Sequence, residues 1–251
     1  MEHNWTMVSC AGLPATAPRQ GTVSVYCVHA DQPFLDWQEC MVLLDEDEQS
    51  RAARLKFDEP RRRYVLARCL LRCVAGAVLD HDPAALRFFY MPSGKPELEW
   101  PETTPPFYFN LTHSFDLVLL AVARHAPVGV DVEKRRVPGD IHRIASKHFL
   151  PDEAVQLASM PQPLQPEAFL RAWTRKEACL KAIGGHLFRD LKRFHVSLHP
   201  SEPATLLGTT LEGRNAGEWH MAHLEPADGY LGALAVMAPF EGLATYRVLA
   251  G

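Results

Sequence analysis

Two long segments with helical spacing of their apolar residues constrain the fold of this chain most. The first runs from about Pro60, a residue suited to a first helical turn, to Leu79. The second runs from Glu167 to Ile183 and is stopped by Gly184 and Gly185. Strand candidates surround both segments. This order predicts a mixed α+β protein with two halves of similar plan, although no sequence repeat relates them.

The strand candidates are rich in β-branched and aromatic residues. One covers Thr22 to Val28, and three follow in close succession: Phe107 to Leu111, Leu117 to Arg124 and Val128 to Glu133. Because the connections between these three are short, we expect an antiparallel meander. Further strands are expected at Leu86 to Met91, Phe194 to Leu198, Trp219 to Leu224, Leu231 to Met237 and Thr245 to Leu249. Shorter helices are expected from the N-cap Asp45 to Arg54, from Ile141 to Phe149 and from Asp152 to Ser159.

The domain organisation suggested by this pattern has three parts. Residues 1–20 are expected to form a loose N-terminal tail, because prolines lie there among small residues. Residues 21–125 are expected to form an N-terminal α+β half, and residues 126–251 a C-terminal α+β half.

The composition excludes several classes of protein. The 251 residues are 47% hydrophobic and 22% charged, which is typical of a globular protein with a core. A net charge of −4 argues against a nucleic-acid partner. The longest apolar stretch, Leu117 to Ala123, is too short to span a bilayer, so no membrane partner is expected. Six cysteines at irregular spacing, without a signal-peptide pattern, indicate reduced thiols and a cytoplasmic location.

Seven arginines crowd one N-terminal stretch, and we expect them to cover the exposed surface of the first long helix. Such a local basic cluster on an acidic protein favours a small anionic ligand or an acidic partner surface. The seven are Arg51, Arg54, Arg61, Arg62, Arg63, Arg68 and Arg72.

The segment Gly129-Val130-Asp131-Val132-Glu133 carries two carboxylates on a strand candidate. Asp131 and Glu133 are two positions apart, so both side chains point to the same side of the strand. Two like charges on one face repel each other unless a positive charge lies between them, and oxygen ligands favour Mg²⁺. The ordinary alternative is ion pairing with the basic residues at 134–136.

A second charged group lies on the second long helix, in the segment Trp173-Thr174-Arg175-Lys176-Glu177-Ala178-Cys179-Leu180-Lys181. Glu177 and Lys181 are four positions apart and share a face. An ordinary helix-stabilising ion pair is the alternative here. Lys176 is rotated away by about 100° and is expected to face elsewhere.

Two shorter elements complete the set. The strand candidate that begins at Phe107 continues into Asn110-Leu111-Thr112-His113-Ser114, where a histidine among hydroxyls could donate to phosphate or transfer a proton. Gly94-Lys95-Pro96 places a lysine on a tight turn. Taken singly, a structural histidine and a plain exposed loop are the alternatives.

Together, in this order and spacing, the four segments resemble the Sfp-type 4'-phosphopantetheinyl transferases, in the subgroup with the pattern W-x-x-K-E-A. The resemblance runs from about Leu44 to Leu187, and Thr112 stands where a serine is common. It implies two pseudo-symmetric α+β halves in a monomer, with the active site in the cleft between them. It also implies Mg²⁺ as cofactor, coenzyme A as co-substrate and an apo acyl or peptidyl carrier protein as partner.

The resemblance also implies roles for individual residues. Asp131, Glu133 and Glu177 would hold Mg²⁺, and Lys181 and His113 would contact the phosphates. Glu177, or a water on the metal, would take the proton of the carrier serine. The residues that would contact coenzyme A are Lys95, Thr112, His113, Arg63, Arg54 and Lys181. A coenzyme-A-binding or carrier-binding regulatory relative without transferase activity is the alternative function.

Overall fold

Both long helices expected from the sequence are present in the computed structural model, which describes residues 4–14, 21–92, 94–99, 106–136, 139–185 and 190–251. The helices are α1 (Trp37–Leu43), α2 (Glu46–Arg54), α3 (Asp58–Leu79), α4 (Ile141–His148), α5 (Pro151–Ser159) and α6 (Gln165–Ile183). Gly184 ends α6 in the left-handed conformation, with φ 68°, as the glycine pair predicts. None of the described helices combines the length and the apolar character needed to cross a membrane.

The strands form two larger sheets and two short hairpins. They are β1 (Thr6–Ser9), β2 (Thr22–His29), β3 (Phe88–Tyr90), β4 (Pro96–Leu98), β5 (Tyr108–Ser114), β6 (Leu117–Ala123), β7 (Val128–Lys134), β8 (Phe194–Val196), β9 (Leu206–Thr209), β10 (His220–Leu224), β11 (Tyr230–Val236) and β12 (Gly242–Leu249). One sheet has the order β1-β12-β2-β6-β5 and the other β10-β11-β7, while β3-β4 and β8-β9 pair as hairpins. The mixed α+β class is thereby confirmed.

The chain forms two compact units, and the first described here contains the five-stranded sheet. It includes residues 4–91, 96–125 and 241–251, within the limits of the described ranges. Strand β12 lies parallel to both β1 and β2, while β6 lies antiparallel to its two neighbours, β2 and β5. Helix α3 packs against β6, and its apolar side chains form the core with those of β2 and β6.

The ends of the chain differ from the sequence-based expectation. Thr6–Ser9 lies within the expected loose tail but forms β1, because β12 offers a strand edge with which it pairs. Strand β12 lies within the expected C-terminal half but shares a unit with β2. Hydrophobic patterns identify a strand but not its neighbour, so the pattern could not place either strand.

The second unit contains residues 92, 94–95 and 126–240, within the described ranges. Here β7 pairs with β11 and β11 with β10, all antiparallel, and α6 packs on β7 and β11. The expected meander is therefore wrong in its third strand. Strands β5 and β6 pair as expected. After the connection at 124–127, however, β7 belongs to a different sheet and pairs with β11, about a hundred residues later in the sequence.

Two of the seven arginines on and near α3 are buried rather than exposed. Arg72 Nη2 lies 2.7 Å from Asp45 Oδ2, and Arg72 Nε lies 2.7 Å from Glu48 Oε2. Arg68 also pairs with Glu48. The expectation of an exposed basic helix is wrong for Arg68 and Arg72, because the N-cap Asp45 and the first-turn Glu48 of α2 neutralise them inside the unit.

Candidate active site

Strand β7 presents the two carboxylates of the GVDVE segment on one side. Asp131 is buried, at 4% exposure, and Glu133 is half-buried near the end of the strand. The backbone of Asp131 pairs with Ala233 of β11 and that of Glu133 with Leu231. The strand period of two therefore places both carboxylates on the same face, as the sequence predicts.

Gly129 allows α6 to approach the backbone of β7 very closely. A Cβ atom at this position would lie 2.0 Å from the carbonyl oxygen of Ala178 and 2.5 Å from the amide nitrogen of Ala182. No side chain fits there, so the strand–helix contact depends on glycine. Since Ala178 follows Glu177 directly, this contact determines where Glu177 meets the carboxylates of β7.

Helix α6 supplies the third carboxylate and an ammonium group. Glu177 is buried, and Lys181, one turn later, is 28% exposed at its side chain. Lys181 Nζ donates to Asp131 Oδ1 at 2.6 Å. The ion pair crosses from helix to strand, so it links residues fifty positions apart in the sequence rather than neighbours on one helix.

The concentration of negative charge changes the acidity of this group. Burial, followed by the charges of Asp131 and Glu133, raises the pKa of Glu177 to about 8, although Lys181 opposes the shift. Burial acts to lower the pKa of Lys181, but Asp131 and Glu177 outweigh it and the pKa is raised. Three carboxylates therefore act on one another, with one ammonium among them.

This donor set fits a divalent cation. All the anionic atoms are carboxylate oxygens, the hard ligands that Mg²⁺ takes in proteins. Burial and the charges of Asp131 and Glu133 together raise the pKa of Glu177 in spite of Lys181, so a cation beside Glu177 would favour its ionised form. Asp131, Glu133 and Glu177 belong to one unit and act on one another electrostatically, and their binding of Mg²⁺ together stays a prediction.

Lys95 contacts the end of α6. Its ammonium group donates to the carbonyl oxygen of Lys181 at 2.9 Å and to that of Ala182 at 3.0 Å. The last carbonyls of a helix lack intrahelical donors and carry partial negative charge, so a lysine stabilises them. Lys95 therefore has a structural partner, and its contact with coenzyme A stays a prediction.

The remaining predicted residues belong to the unit that contains β2. Thr112 and His113 are neighbours on β5, where Thr112 is buried and His113 exposed on the opposite face. Arg63 Nη1 donates to the carbonyl oxygen of Phe115 at 2.6 Å and lies 3.4 Å from Glu59 Oε1. Arg54 is exposed in the last turn of α2.

Two further charged residues of α6 have structural roles that the sequence did not reveal. Lys176 Nζ lies 2.7 Å from Glu153 Oε2, and both side chains are fully buried. Glu153 also accepts from the amides of Leu150 and Val196, so this pair joins α5 and β8 to α6. Arg175, also buried, donates to the carbonyl oxygen of Ser197 at 2.6 Å. The run of charged residues on α6 was the only sequence signal for these roles, and it does not indicate which of the charged side chains are buried.

A separate group of metal-ligand type lies in the other unit. Atoms of His29, Asp31 and Asp116 lie within 4.8 Å of one another. His29 Nδ1 is 3.4 Å from Asp116 Oδ2, and the Asp31 side chain is 64% exposed. Exposed groups of this kind form ordinary surface ion pairs, so we assign it no function.

Comparison with known proteins agrees with the geometry. The model described as the 4'-phosphopantetheinyl transferase superfamily matches residues 127–235. The model described as 4'-phosphopantetheinyl transferase, N-terminal, matches residues 32–125.

Individual relatives extend this agreement along the chain. The 4'-phosphopantetheinyl transferase HetI of Nostoc sp. is 36% identical over 85% of this chain and 87% of its own length. A 4'-phosphopantetheinyl transferase of Bacillus subtilis is 29% identical over 70% of this chain and 77% of its own. The psf-1 transferase of Bacillus pumilus is 33% identical over 64% and 66%. These relatives are enzymes of the transferase class, and the chain belongs to the 4'-phosphopantetheinyl transferase superfamily.

Proposed function

We propose that this enzyme transfers the phosphopantetheine arm of coenzyme A to a serine of an apo acyl or peptidyl carrier protein. The serine oxygen forms a bond to the phosphorus that carries the pantetheine arm. The bond from that phosphorus to the leaving phosphate breaks, and 3',5'-ADP departs. The product on the carrier is a phosphodiester.

The observation that carries the proposal is the meeting of α6 and β7. Lys181 of the helix donates to Asp131 of the strand, and the charges of Asp131 and Glu133 act on Glu177. A pyrophosphate carries at least two negative charges, so a site that binds it needs strong positive charge. A metal ion held by carboxylate oxygens, together with a lysine, would supply that charge. The relatives' shared activity agrees with this chemistry.

Asp131, Glu133 and Glu177 would hold Mg²⁺ in this site. When bound, the ion offsets the negative charge of the pyrophosphate and of the leaving group. Lys181 adds a second positive charge, and its raised pKa keeps it an ammonium at neutral pH. The strand and the helix hold these groups in fixed positions, which is most of what phosphoryl-type transfer requires.

The proton of the serine must be accepted within the site. Glu177 is the carboxyl group to which the resemblance gives this role, and it can accept a proton when it is ionised. A water molecule bound beside it is the other acceptor that the chemistry allows. We propose Glu177 as the acceptor, because it is a buried carboxyl group within electrostatic reach of Asp131 and Glu133.

Contacts with coenzyme A beyond the pyrophosphate rest on the resemblance. Thr112 and His113 would contact phosphate oxygens, while Lys95, Arg63 and Arg54 would face the 3'-phosphate and the adenosine. Arg54 is exposed in the described structure, and the exposed His113 has ring nitrogens that could serve as donors. Membership of the Sfp-type subgroup, the monomeric state and the cytoplasmic location also stay predictions.

Mass spectrometry tests the proposal directly. The protein is mixed with coenzyme A, Mg²⁺ and a panel of apo acyl and peptidyl carriers, and the carrier mass is followed. We expect the mass gain of one phosphopantetheine group, dependent on Mg²⁺. A full absence of gain with every carrier would instead support a regulatory protein that only binds.

A matched pair of variants on α6 tests the site. We expect Glu177→Gln to lose transfer by at least about 10³-fold, since it removes a metal ligand and the proton acceptor. Glu167→Gln changes a carboxylate on the same helix that pairs with Arg135 and Arg171, and should retain the activity. Equal activity of the two variants would contradict the assignment of Glu177.

A further inference from the structure

The turn between β5 and β6 has an unfavourable backbone conformation. Strand β5 ends at Ser114 and β6 begins at Leu117, and these two residues pair. Phe115 and Asp116 therefore form a two-residue turn. Phe115 has a φ angle of 50°, one of two positive values among the non-glycine residues that the structure describes. Two-residue turns with a positive φ at the first position alone usually have glycine there, because a Cβ atom is crowded in this region.

Contacts from two other elements hold this turn in place. Arg63 Nη1, on α3, donates to the carbonyl oxygen of Phe115 at 2.6 Å. At the end of β2, the amide of Ala30 donates to the carbonyl oxygen of Asp116 at 2.6 Å, and His29 Nδ1 lies 3.4 Å from Asp116 Oδ2. An unfavourable backbone conformation persists only where surrounding contacts impose it, and such conformations are concentrated at functional sites.

Burial in the core does not account for a phenylalanine at this position. Phe115 is 43% exposed, and it is not among the side chains that form or pack against the apolar core of this unit. Phe109, on the same hairpin, is buried in that core. Glycine would suit the backbone of the turn better, so the presence of an exposed aromatic ring there points to a role for the ring itself.

The groups beside Phe115 suit a phosphorylated ligand that also carries a flat ring. Arg63 contacts the turn directly, and its pair with Glu59 is weakened by solvent because the Glu59 side chain is exposed. His113, two positions before Phe115, is exposed near the end of β5. Guanidinium and imidazole groups donate to phosphate oxygens, and an aromatic ring stacks on a nucleobase. A phosphorylated nucleoside carries both features.

We propose that the ring of Phe115 stacks on the adenine of coenzyme A. The inference rests on the proposed function, in which Arg63 and His113 contact the same molecule through its phosphorylated end. Phe115 then contributes to the affinity for the nucleotide part of coenzyme A and not to the chemical step. Stacking of a base on an aromatic ring changes affinity by about 5- to 100-fold, and the strained turn is the means by which the ring is presented.

Calorimetric titration of the whole protein with coenzyme A and with 3',5'-ADP, in Mg²⁺ and without a carrier, tests the contact. Phe115→Ala should weaken the binding of both ligands by a similar factor, about 10-fold, because both contain the adenine. Phe115→Tyr keeps the ring and should bind both ligands within about 2-fold of the wild type. In the transfer assay, Phe115→Ala should raise KM for coenzyme A and retain kcat, as expected for a binding residue.

A second pair of variants separates the ring from the backbone. Phe115→Gly and Phe115→Ala both remove the ring, but only alanine keeps a Cβ atom at the positive φ angle. The glycine variant should therefore unfold at a temperature about 2–4 °C higher than the alanine variant, while both lose the same affinity for coenzyme A. Phe57→Ala, which removes an exposed ring at an ordinary φ of −106°, is the control and should keep the affinity of the wild type.

The possible outcomes distinguish this contact from the transfer reaction itself. A wild type that binds neither ligand would overturn both the proposed function and the role of Phe115. Binding by the wild type that is unchanged in Phe115→Ala, or lost equally in Phe115→Tyr, would overturn the stacking and leave the proposed function intact. Equal unfolding temperatures of the glycine and alanine variants would contradict the strain in the turn, and with it the reason for assigning the ring a role.

Discussion

Glu177 is a carboxyl group for which ionisation is costly until a cation is supplied. The pKa of Glu177 is raised to about 8 by burial and by Asp131, whereas an unfolded glutamate releases its proton near about pH 4.3. Between these values the folded state binds more protons than the unfolded state. The free energy of unfolding of the metal-free protein should therefore fall as pH rises from about 5 to about 8, by up to about 1.4 kcal/mol per pH unit.

Urea unfolding at pH 6 and pH 8 in the presence of a chelator measures this slope. Glu177→Gln should flatten it, because the glutamine does not titrate. Glu167→Gln should leave it unchanged, since burial acts to raise the pKa of Glu167 but its pairs with Arg171 and Arg135 lower it overall, so it is ionised across this window. Added Mg²⁺ should stabilise the wild type more at pH 8 than at pH 6. Parallel slopes for the wild type and Glu177→Gln would show that Glu177 does not carry the dependence.

Single residues were predicted well where their chemistry depends on spacing along one element. Asp131 with Glu133, and Glu177 with Lys181, share faces as strand and helix periods require. Arg68, Arg72 and Lys176 were not predicted, because their neutralising carboxylates come from other elements. A charged residue on a helix is predicted to be exposed unless a partner of opposite charge is known, and the sequence does not identify that partner.

Among the elements, the contact of β7 with α6 depends on the missing side chain of Gly129. Gly129→Ala would place a carbon 2.0 Å from the carbonyl oxygen of Ala178, so strand and helix must separate. We expect a loss of about 2–4 kcal/mol in the free energy of unfolding and a weaker response to Mg²⁺.

Chemical denaturation with and without Mg²⁺ measures both the free energy of unfolding and its response to Mg²⁺. Gly208→Ala is the matched change in the same unit. A Cβ atom added at Gly208 would lie 3.6 Å from the Cβ of His195, which is an ordinary van der Waals distance. It should alter stability by no more than about 0.5 kcal/mol. Similar losses in the two variants would indicate a general cost of alanine in these strands rather than a close approach.

The C-terminal end of α6 depends on Lys95. Because its ammonium group donates to two terminal carbonyls, Lys95→Met should lower the free energy of unfolding by about 1–2 kcal/mol even without coenzyme A. Lys192→Met, at an exposed position in the same unit, is the control and should have little effect. If Lys95→Met changed only the affinity for coenzyme A and not the free energy of unfolding, Lys95 would not stabilise the end of α6.

Elements were predicted more reliably than their neighbours. Helices α3 and α6 end within two residues of the expected positions, because periodicity, proline and glycine all act locally. The pairing of β7 with β11 was missed, since strands close in sequence usually pair and nothing local marks an exception. Strands β1 and β9 were also missed, and β1 lies in the segment that was expected to be a loose tail.

At the scale of the whole molecule, β12 joins distant parts of the sequence in one sheet. It lies between β1 and β2 and pairs with both through its backbone. Thr245→Pro would remove a backbone donor opposite Val25 and place a ring in an interior strand. We expect amide hydrogens of β2 to exchange much faster, by roughly 10²-fold or more, because strand pairing protects them.

Hydrogen exchange followed by mass spectrometry resolves this effect by peptide. Ala250→Pro introduces the same residue just beyond the strand, at an exposed position, and should leave the protection of β2 as in the wild type. Unchanged protection in Thr245→Pro would mean that β12 contributes little to the stability of the sheet.

The interior position of β12 has a consequence for synthesis of the chain. Strand β2 is made early, with β6 as its neighbour on one side, but its neighbour on the other side comes only with residues 242–249. While the ribosome is still adding the second unit, β2 therefore has an open edge on which other nascent strands could pair. The five-stranded sheet can therefore be completed only after β12 has left the exit tunnel, although most of its strands are synthesised before the second unit.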